Sequence, residues 1–352
     1  MRKIHVKASR EYDILIGDGL LKKAASLIAD ACGRPETVIV SDDTVYGLYG
    51  EDLKKDLEAE GFAVKSFVFP HGERNKNLET YGELQEFLSE NGITRNGLIA
   101  ALGGGVTGDL AGFAAATYQR GIRFVQIPTT LLADVDSSVG GKTAVDLKSG
   151  KNQTGCFYQP SMVICDPETL KTLPEEEFLC GCAEVIKYAV YGNREFFDFL
   201  KTEEIRDHLE EVIAVCVTMK RDLVEADEFD TGKRMMLNFG HTFGHGVESC
   251  SDFSILHGQA VAIGMAVMTR AACAKGYCTE ETVTMLEEIL KQYGLPDRAS
   301  CSKEELLQAV LKDKKRKSGT MRIVVPRRIG SCMIEEIPAE ALPEWIAEGG
   351  LI

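Results

Sequence analysis

Histidine is scarce in this chain, six in 352 residues, and three of them fall in the stretch RMMLNFGHTFGHGVESCSDFSILHG from Arg234 to Gly258: His241, His245 and His257. His241 and His245 are four apart, so a helix places both rings on one face, and two such imidazoles are half of a divalent-metal site. The same spacing also describes two partly buried helix histidines with hydrogen-bond partners. A third imidazole after a short loop, with a carboxylate from elsewhere, tips the balance toward a metal. A second site of interest is Cys182-Ala183-Glu184-Val185-Ile186-Lys187, where Glu184 sits among apolar neighbours with Lys187 on the same helical face. At the surface this is an ordinary ion pair. Facing inward, the carboxylate needs a metal or the lysine to offset its desolvation.

Glycines suggest a second chemistry. An apolar strand, Leu98 to Leu102, runs into Gly103-Gly104-Gly105-Val106-Thr107-Gly108-Asp109, and a helix of small residues is expected over 110–117. Gly103, Gly105 and Gly108 satisfy G-x-G-x-x-G between a strand and a helix, where backbone amides and a helix N-terminus cradle a pyrophosphate; a tight glycine turn has the same composition. A standard dinucleotide fold carries an acid about twenty residues later, but the region Gln126 to Thr130 has none. Asp42, at the end of an earlier strand, is the alternative ribose partner. Gly140-Gly141-Lys142 and Gly150-Lys151-Asn152 are too loosely spaced for a P-loop.

The elements that must position these residues alternate through the first half. Strands are expected at Thr37 to Ser41, Val64 to Phe69, Phe124 to Pro128 and Met162 to Asp166, with helices over 45–60 and 76–89, the latter carrying Leu78, Tyr81, Leu84 and Leu88 at helical spacing. Such alternation predicts a parallel sheet with helices on its faces. Beyond Thr172-Leu173-Pro174 longer helical patterns take over, near 175–190, 205–225, 258–275, 280–293 and 303–312. The expectation is therefore an α/β domain over 1–172 and a mostly α-helical domain over 173–352, and the length suits two domains.

Forty basic against fifty-four acidic residues give a formal charge of −14, which excludes general affinity for nucleic acid or an anionic membrane. An anionic substrate then requires a local basic cluster. The only dense basic run, Lys312-Asp313-Lys314-Lys315-Arg316-Lys317, reads either as a solvated loop or as a lid that grips an anion. The first residues lack an apolar run of signal-peptide type and no stretch has the length of a membrane span, so a cytoplasmic protein is expected. Eleven scattered cysteines, mostly in apolar segments, fit reduced core thiols, and the single close pair, Cys180 and Cys182, does not make a zinc ribbon.

Taken together, the motifs HGERNK (71–76), GGGVTGD (103–109), YQRG (118–121), PTTLLADVDSSVGGKTAVD (128–146), GKN (150–152), AEVIK (183–187), LNFGHTFGH (237–245), LHG (256–258) and DKK (313–315) resemble the sugar phosphate cyclase family, over nearly the whole chain and in the family's order. The resemblance implies an N-terminal Rossmann-like domain that binds NAD and a helical C-terminal domain that binds a divalent metal, zinc or cobalt, with the substrate between them. It implies Glu184, His241 and His257 as metal ligands and moves His245 to substrate recognition. Cofactor positions carry over to Asp42, Glu73, Lys76, Gly104, Gly105, Val106, Thr107, Gly108, Asp109, Thr129, Thr130, Thr169, Leu170, Lys171 and Thr172, with Lys142 and Lys151 shared with the substrate. Substrate and catalytic positions carry over to Asp136, Lys142, Lys151, Asn152, Lys187, Lys220, Arg234, Asn238, His245 and one or both of Lys314 and Lys315. Arg120 resembles a residue that reaches the neighbouring subunit's phosphate site, which implies a homodimer. Asp230 stands where many members carry Glu.

Lys220 and Arg234 favour the branch of the family whose small anionic sugar phosphate substrate, 3-deoxy-D-arabino-heptulosonate 7-phosphate, bears a carboxylate. By resemblance, transient oxidation at C5 acidifies C6, phosphate leaves, the ketone is reduced, and the opened ring closes again by an aldol step. The alternatives are a sister cyclase acting on a sugar phosphate without a carboxylate, a metal-dependent polyol dehydrogenase that accumulates NADH, and a nucleotide-binding regulatory protein without turnover.

Overall fold

Strands that are apolar at nearly every position belong to a sheet covered on both faces. In the computed structural model, which describes residues 1–251, 254–314 and 319–350, the first half of the chain forms nine strands. They are β1 (Arg2–Val6), β2 (Tyr12–Ile16), β3 (Thr37–Asp42), β4 (Val64–Phe69), β5 (Leu98–Gly103), β6 (Arg123–Pro128), β7 (Lys142–Leu147), β8 (Gly150–Phe157) and β9 (Met162–Cys165). Seven make one sheet in the order β1-β2-β9-β6-β5-β3-β4. All its neighbouring strands are parallel except β1 and β2.

Successive side chains in β5 face opposite sides, as strand geometry demands. Leu98, Ala100 and Leu102 pack with Ile28, Leu53 and Leu57 on one face, from helices Ala24–Cys32 and Glu51–Ala59. Ile99 and Ala101 pack with Leu84, Leu88, Leu110 and Ala114 on the other, from helices Leu78–Glu90 and Gly105–Thr117. The chain leaves β3 toward the edge strand β4 and leaves β5 toward β6, on the other side. That reversal opens a crevice beyond the C-terminal ends of β3 and β5, the usual ligand position in such sheets. Asp42 ends β3 and Gly103 ends β5, so both candidate cofactor segments lie at it.

Three boundaries differ from expectation. Helix Gly105–Thr117 starts five residues before 110, with Gly105 and Gly108 in its first turns, because packing against the sheet outweighs the poor helix propensity of glycine. Lys76 precedes its helix; Asn77 caps the N-terminus, its side-chain oxygen accepting from the amides of Glu79 (2.9 Å) and Thr80 (3.0 Å). Part of the long helix Leu209–Ala226 belongs with the first half, whereas a single division at 172/173 assigns all of it to the second. The two compact units are Met1–Leu173 with Ile213–Phe229, and Pro174–Val212 with Asp230–Ile352. The returning segment is tied by Lys220 to Asp136, by Glu225 accepting the Lys7 amide (2.8 Å), and by Glu228 accepting from the Ser9 amide (2.8 Å) and the Gln159 side chain (2.9 Å).

The second unit is built on helices Glu175–Gly192, Arg194–Thr202, His241–Cys250, His257–Ala274, Glu280–Gln292, Lys303–Lys314 and Leu342–Glu348, with one antiparallel hairpin, β10 (Thr320–Arg328) and β11 (Ser331–Pro338). Arg234 and Asn238 lie in a separate 3-10 turn, Lys233–Asn238, rather than on the helix of His241. Among the described residues no helix is long and apolar enough to cross a membrane, and all eleven cysteines are free.

Candidate active site

In the second unit three helices meet at Glu184. Helix Glu175–Gly192 brings Glu184 and Lys187, one turn apart and each 1% exposed, into the interior, so this is no surface pair. The Lys187 ammonium lies 2.5 Å from Glu184 Oε2. Glu184 Oε1 stands 3.6 Å from His241 Nε2 and 3.6 Å from His257 Nε2.

Two glycines permit that convergence. Gly240, the residue before the His241 helix, has φ +80°, and a Cβ there would lie 2.5 Å from Met265 Cγ. Gly258 follows His257 at the start of the next helix, where a Cβ would lie 2.3 Å from Cys180 Cα. The helix bearing His257 therefore reaches the helix bearing Glu184 only because residue 258 has no side chain.

One carboxylate oxygen and two imidazole nitrogens, with ligand atoms all within 4.8 Å of one another, form a donor set suited to zinc or cobalt. His241 Nδ1 lies 3.2 Å from the Phe239 carbonyl, which accepts its proton and leaves Nε2 to face Glu184. Burial pushes the His241 imidazole down to about 3, so it is a neutral donor at physiological pH. His257 goes the other way: burial opposes its protonation, but the carboxylates of Glu184 and Glu248 outweigh it and hold the ring up at about 10. A cation bound here replaces that proton. His245 is exposed, its ring centroid 5.4 Å from that of His241 and 6.0 Å from that of His257, so the helix-spacing pair is adjacent without sharing the Glu184 contact.

Three further residues proposed from resemblance are placed less specifically. Arg234 is buried, Asn238 half-buried, and Asp230 lies in a left-handed turn (φ 56°). The side chain of Lys314 and the whole of Lys315 lie outside the described residues.

In the first unit a second cluster surrounds Lys76. Its ammonium lies 2.9 Å from Glu73, 3.2 Å from Asp109 and 4.0 Å from Asp146, and it donates to Asn152 Oδ1 at 2.9 Å. One ammonium facing three carboxylates cannot keep all of them fully ionised. Burial, with Glu73 and Asp146 nearby, lifts Asp109 to about 6 against the pull of Lys76, and the same carboxylates raise Lys76 above its usual range despite burial. Asp146 was not singled out in the sequence. It accepts the Asn152 amide at 2.7 Å, holding that residue, the third of β8, in a left-handed conformation (φ 54°) just past the turn that joins β7 to β8. It is the single acid of the β7–β8 hairpin, but its sequence neighbours carry no mark of Lys76, seventy positions earlier.

Next to this cluster, helix Gly105–Thr117 begins at Gly104 with no side chain capping its amides. Among the described residues, the buried hydroxyls of Thr107 and Thr129 have no hydrogen-bond partner. Free helix amides and unpartnered donors at a sheet switch point fit the diphosphate and sugar of a dinucleotide. Thr130 caps the following turn, accepting from the Ala133 amide at 3.2 Å. Asp42 likewise caps its own short helix, accepting the Val45 amide at 2.9 Å. The turn Thr169 to Thr172 is tied to Tyr49 through the Thr169 carbonyl (3.1 Å) and the Thr172 hydroxyl; within it Leu170 is buried and Lys171 pairs with Glu168 at 3.0 Å. Lys220 donates to the Asp136 carbonyl at 2.5 Å and lies 3.1 Å from its carboxylate. Lys142 opens β7 as an exposed residue, and Arg120 sits with Gln119 in a left-handed turn (φ 65° and 51°).

The family models for the N-terminal and C-terminal parts of 3-dehydroquinate synthase match residues 66–180 and 181–316. The 3-dehydroquinate synthase of Pelobacter propionicus is 43% identical over 339 residues, covering 94% of each chain, and that of Dehalococcoides mccartyi is 44% identical over 344 residues, covering 96% of each. Among solved structures, a 2-deoxy-scyllo-inosose synthase complexed with carbaglucose-6-phosphate, NAD+ and Co2+ superposes with a TM-score of 0.89 at 26% identity, covering 99% of this chain and 100% of that one. The 2-epi-5-epi-valiolone synthase of Streptomyces hygroscopicus, with NAD+ and Zn2+ bound, gives 0.87 at 28%, covering 99% of both. An iron-containing alcohol dehydrogenase of Thermotoga maritima shares the fold alone, at 18% identity and a TM-score of 0.66 over 98% of this chain and 99% of that one. With both family models matched in sequence over most of its length and relatives above 40% identity along nearly all of it, the chain belongs to the 3-dehydroquinate synthase family.

Proposed function

We propose that this member of the family converts 3-deoxy-D-arabino-heptulosonate 7-phosphate into 3-dehydroquinate and inorganic phosphate, with NAD and zinc or cobalt as resident cofactors. The observation that carries the reading is the buried Glu184 carboxylate facing the Nε2 atoms of His241 and His257, three ligands that leave open positions on a bound cation. When bound, the cation supplies Lewis acidity toward the substrate's hydroxyls and NAD supplies reversible hydride transfer. The uncapped start of helix Gly105–Thr117, with the Thr107 and Thr129 hydroxyls, binds the diphosphate, and Asp42 with the Glu73–Lys76–Asp109 cluster orients the remainder of NAD.

The chain's own residues do the rest. The Lys187 ammonium, 2.5 Å from Glu184, pairs with that carboxylate and offsets the cost of burying it beside the cation. Lys220 fixes the Asp136 carbonyl and carboxylate against the substrate. Lys142, Lys151, Asn152, Arg234 and Asn238 bind the two anionic ends of the sugar and orient its reacting carbons. His245, exposed and one helical turn before the buried Glu248, is placed to exchange a proton with the substrate. The enzyme works as a cytoplasmic homodimer in which Arg120 reaches the neighbouring subunit's phosphate site.

Incubation with the heptulosonate phosphate, NAD and zinc or cobalt tests the reading. Phosphate should appear with no net rise in absorbance from NADH. Steady NADH accumulation without phosphate identifies a polyol dehydrogenase instead.

A further inference from the structure

Both metal-facing imidazoles have two ring nitrogens to account for. In His241 a backbone carbonyl engages Nδ1. In His257 the partner is a side chain outside the proposed ligand set, Glu248, whose Oε2 lies 3.3 Å from Nδ1. Glu248 is 2% exposed, so its carboxylate needs polar partners in the interior, and the His257 ring is one of them. Its position follows from the helix: His241, His245 and Glu248 stand at i, i+4 and i+7 of His241–Cys250 and share one face, against which the next helix begins at His257.

We propose that Glu248 is a positioning residue for the metal site, whose buried carboxylate accepts the Nδ1 proton of His257, fixes the tautomer with its lone pair on Nε2, and turns that lone pair toward Glu184. The proposal rests on the reading of Glu184, His241 and His257 as metal ligands. Its consequence is an unequal pair. His241 is oriented by a neutral carbonyl, whereas a carboxylate partner adds electron density to His257 and makes it the stronger donor.

A competing role for Glu248 is direct ligation, since ligand atoms of His245, Glu248 and His257 also lie within 4.8 Å of one another. Geometry favours orientation. His257 already turns Nε2 toward Glu184, so Nδ1 alone remains for Glu248, and a ring with one nitrogen facing each carboxylate is arranged to donate on one side and ligate on the other.

The test uses the full-length protein stripped of metal, as wild type, Glu248→Gln and Glu248→Ala. Zinc and cobalt affinities are measured by competition with a chromophoric chelator, alongside the visible spectrum of the cobalt form. Wild type should bind one equivalent. Glu248→Ala should bind about 10 to 100-fold more weakly, with a shifted cobalt spectrum. Glu248→Gln, whose amide oxygen still accepts from Nδ1 but carries no charge, should fall between them, and it decides the matter if the alanine variant does not fold. Wild-type affinity and spectrum in both variants overturns the proposal. So do two equivalents in wild type with one lost on substitution, which makes Glu248 a ligand of a second ion. Wild type binding no metal refutes the underlying metal reading itself, and the wild-type titration alone reveals that.

Discussion

Gly258→Ala is the smallest change that should reach the proposed metal site without altering any of its proposed ligands. A Cβ at residue 258 would stand 2.3 Å from Cys180 Cα and 2.4 Å from its carbonyl oxygen. Carbon atoms sit comfortably at about 3.5 Å, and both neighbours are backbone, so the helix His257–Ala274 must retreat by about 1 Å. Overpacking of this kind costs about 1–3 kcal/mol, and the better helix propensity of alanine returns up to about 1 kcal/mol. A net destabilisation of about 1–2 kcal/mol follows. The retreat carries His257 with it, while metal–ligand distances tolerate only about 0.2 Å. Zinc affinity should therefore fall about tenfold or more, which corresponds to about 1.4 kcal/mol. Gly82→Ala is the internal control: that position lies inside helix Leu78–Glu90 with nothing within 4 Å of the added carbon, and it should gain about 0.4–1 kcal/mol. Urea unfolding and chelator competition on both variants decide the question. A Gly258→Ala protein that unfolds like wild type and binds zinc as tightly would refute the argument that this glycine sets the distance between the two helices.

Two other outcomes are expected. Glu184→Ala, His241→Ala and His257→Ala should each lose stoichiometric zinc and turnover, whereas His245→Ala should keep one equivalent of zinc and lose turnover; metal analysis finding His245→Ala empty overturns the assignment of that histidine to the substrate. Asp109, lifted to about 6 in the fold, binds its proton more tightly folded than unfolded, so it favours the folded state at low pH and that advantage disappears as pH rises from about 4 to about 6. Asp109→Asn should remove this loss, on the order of 3 kcal/mol, and unfolding curves for the two proteins that stay parallel from pH 4 to 7 would rule out the raised carboxyl.

The sheet is legible in the sequence because burial on both faces leaves a distinctive mark: runs such as Leu98 to Leu102 are apolar throughout, and alternate residues serve opposite layers. Spacing also brings His241, His245 and Glu248 to one helical face, and the seven-residue step from His241 to Glu248 was available as a signal for the carboxylate. Spacing does not say where the lone pairs point. That direction depends on the Phe239 carbonyl, on Glu248 and on a helix that begins at His257, and the approach of that helix depends in turn on a glycine packed against Cys180. The return of residues 213–229 to the first unit is hidden for a related reason. It rests on Lys220 meeting Asp136, 84 positions away, and neither residue carries a periodic mark of the other. Periodicity thus reports which side chains share a face, while hydrogen-bond partners and close backbone contacts from distant segments decide which of them become ligands. A histidine pair at i, i+4 is by that reasoning a statement about one helix, and the proposed metal site is a property of three.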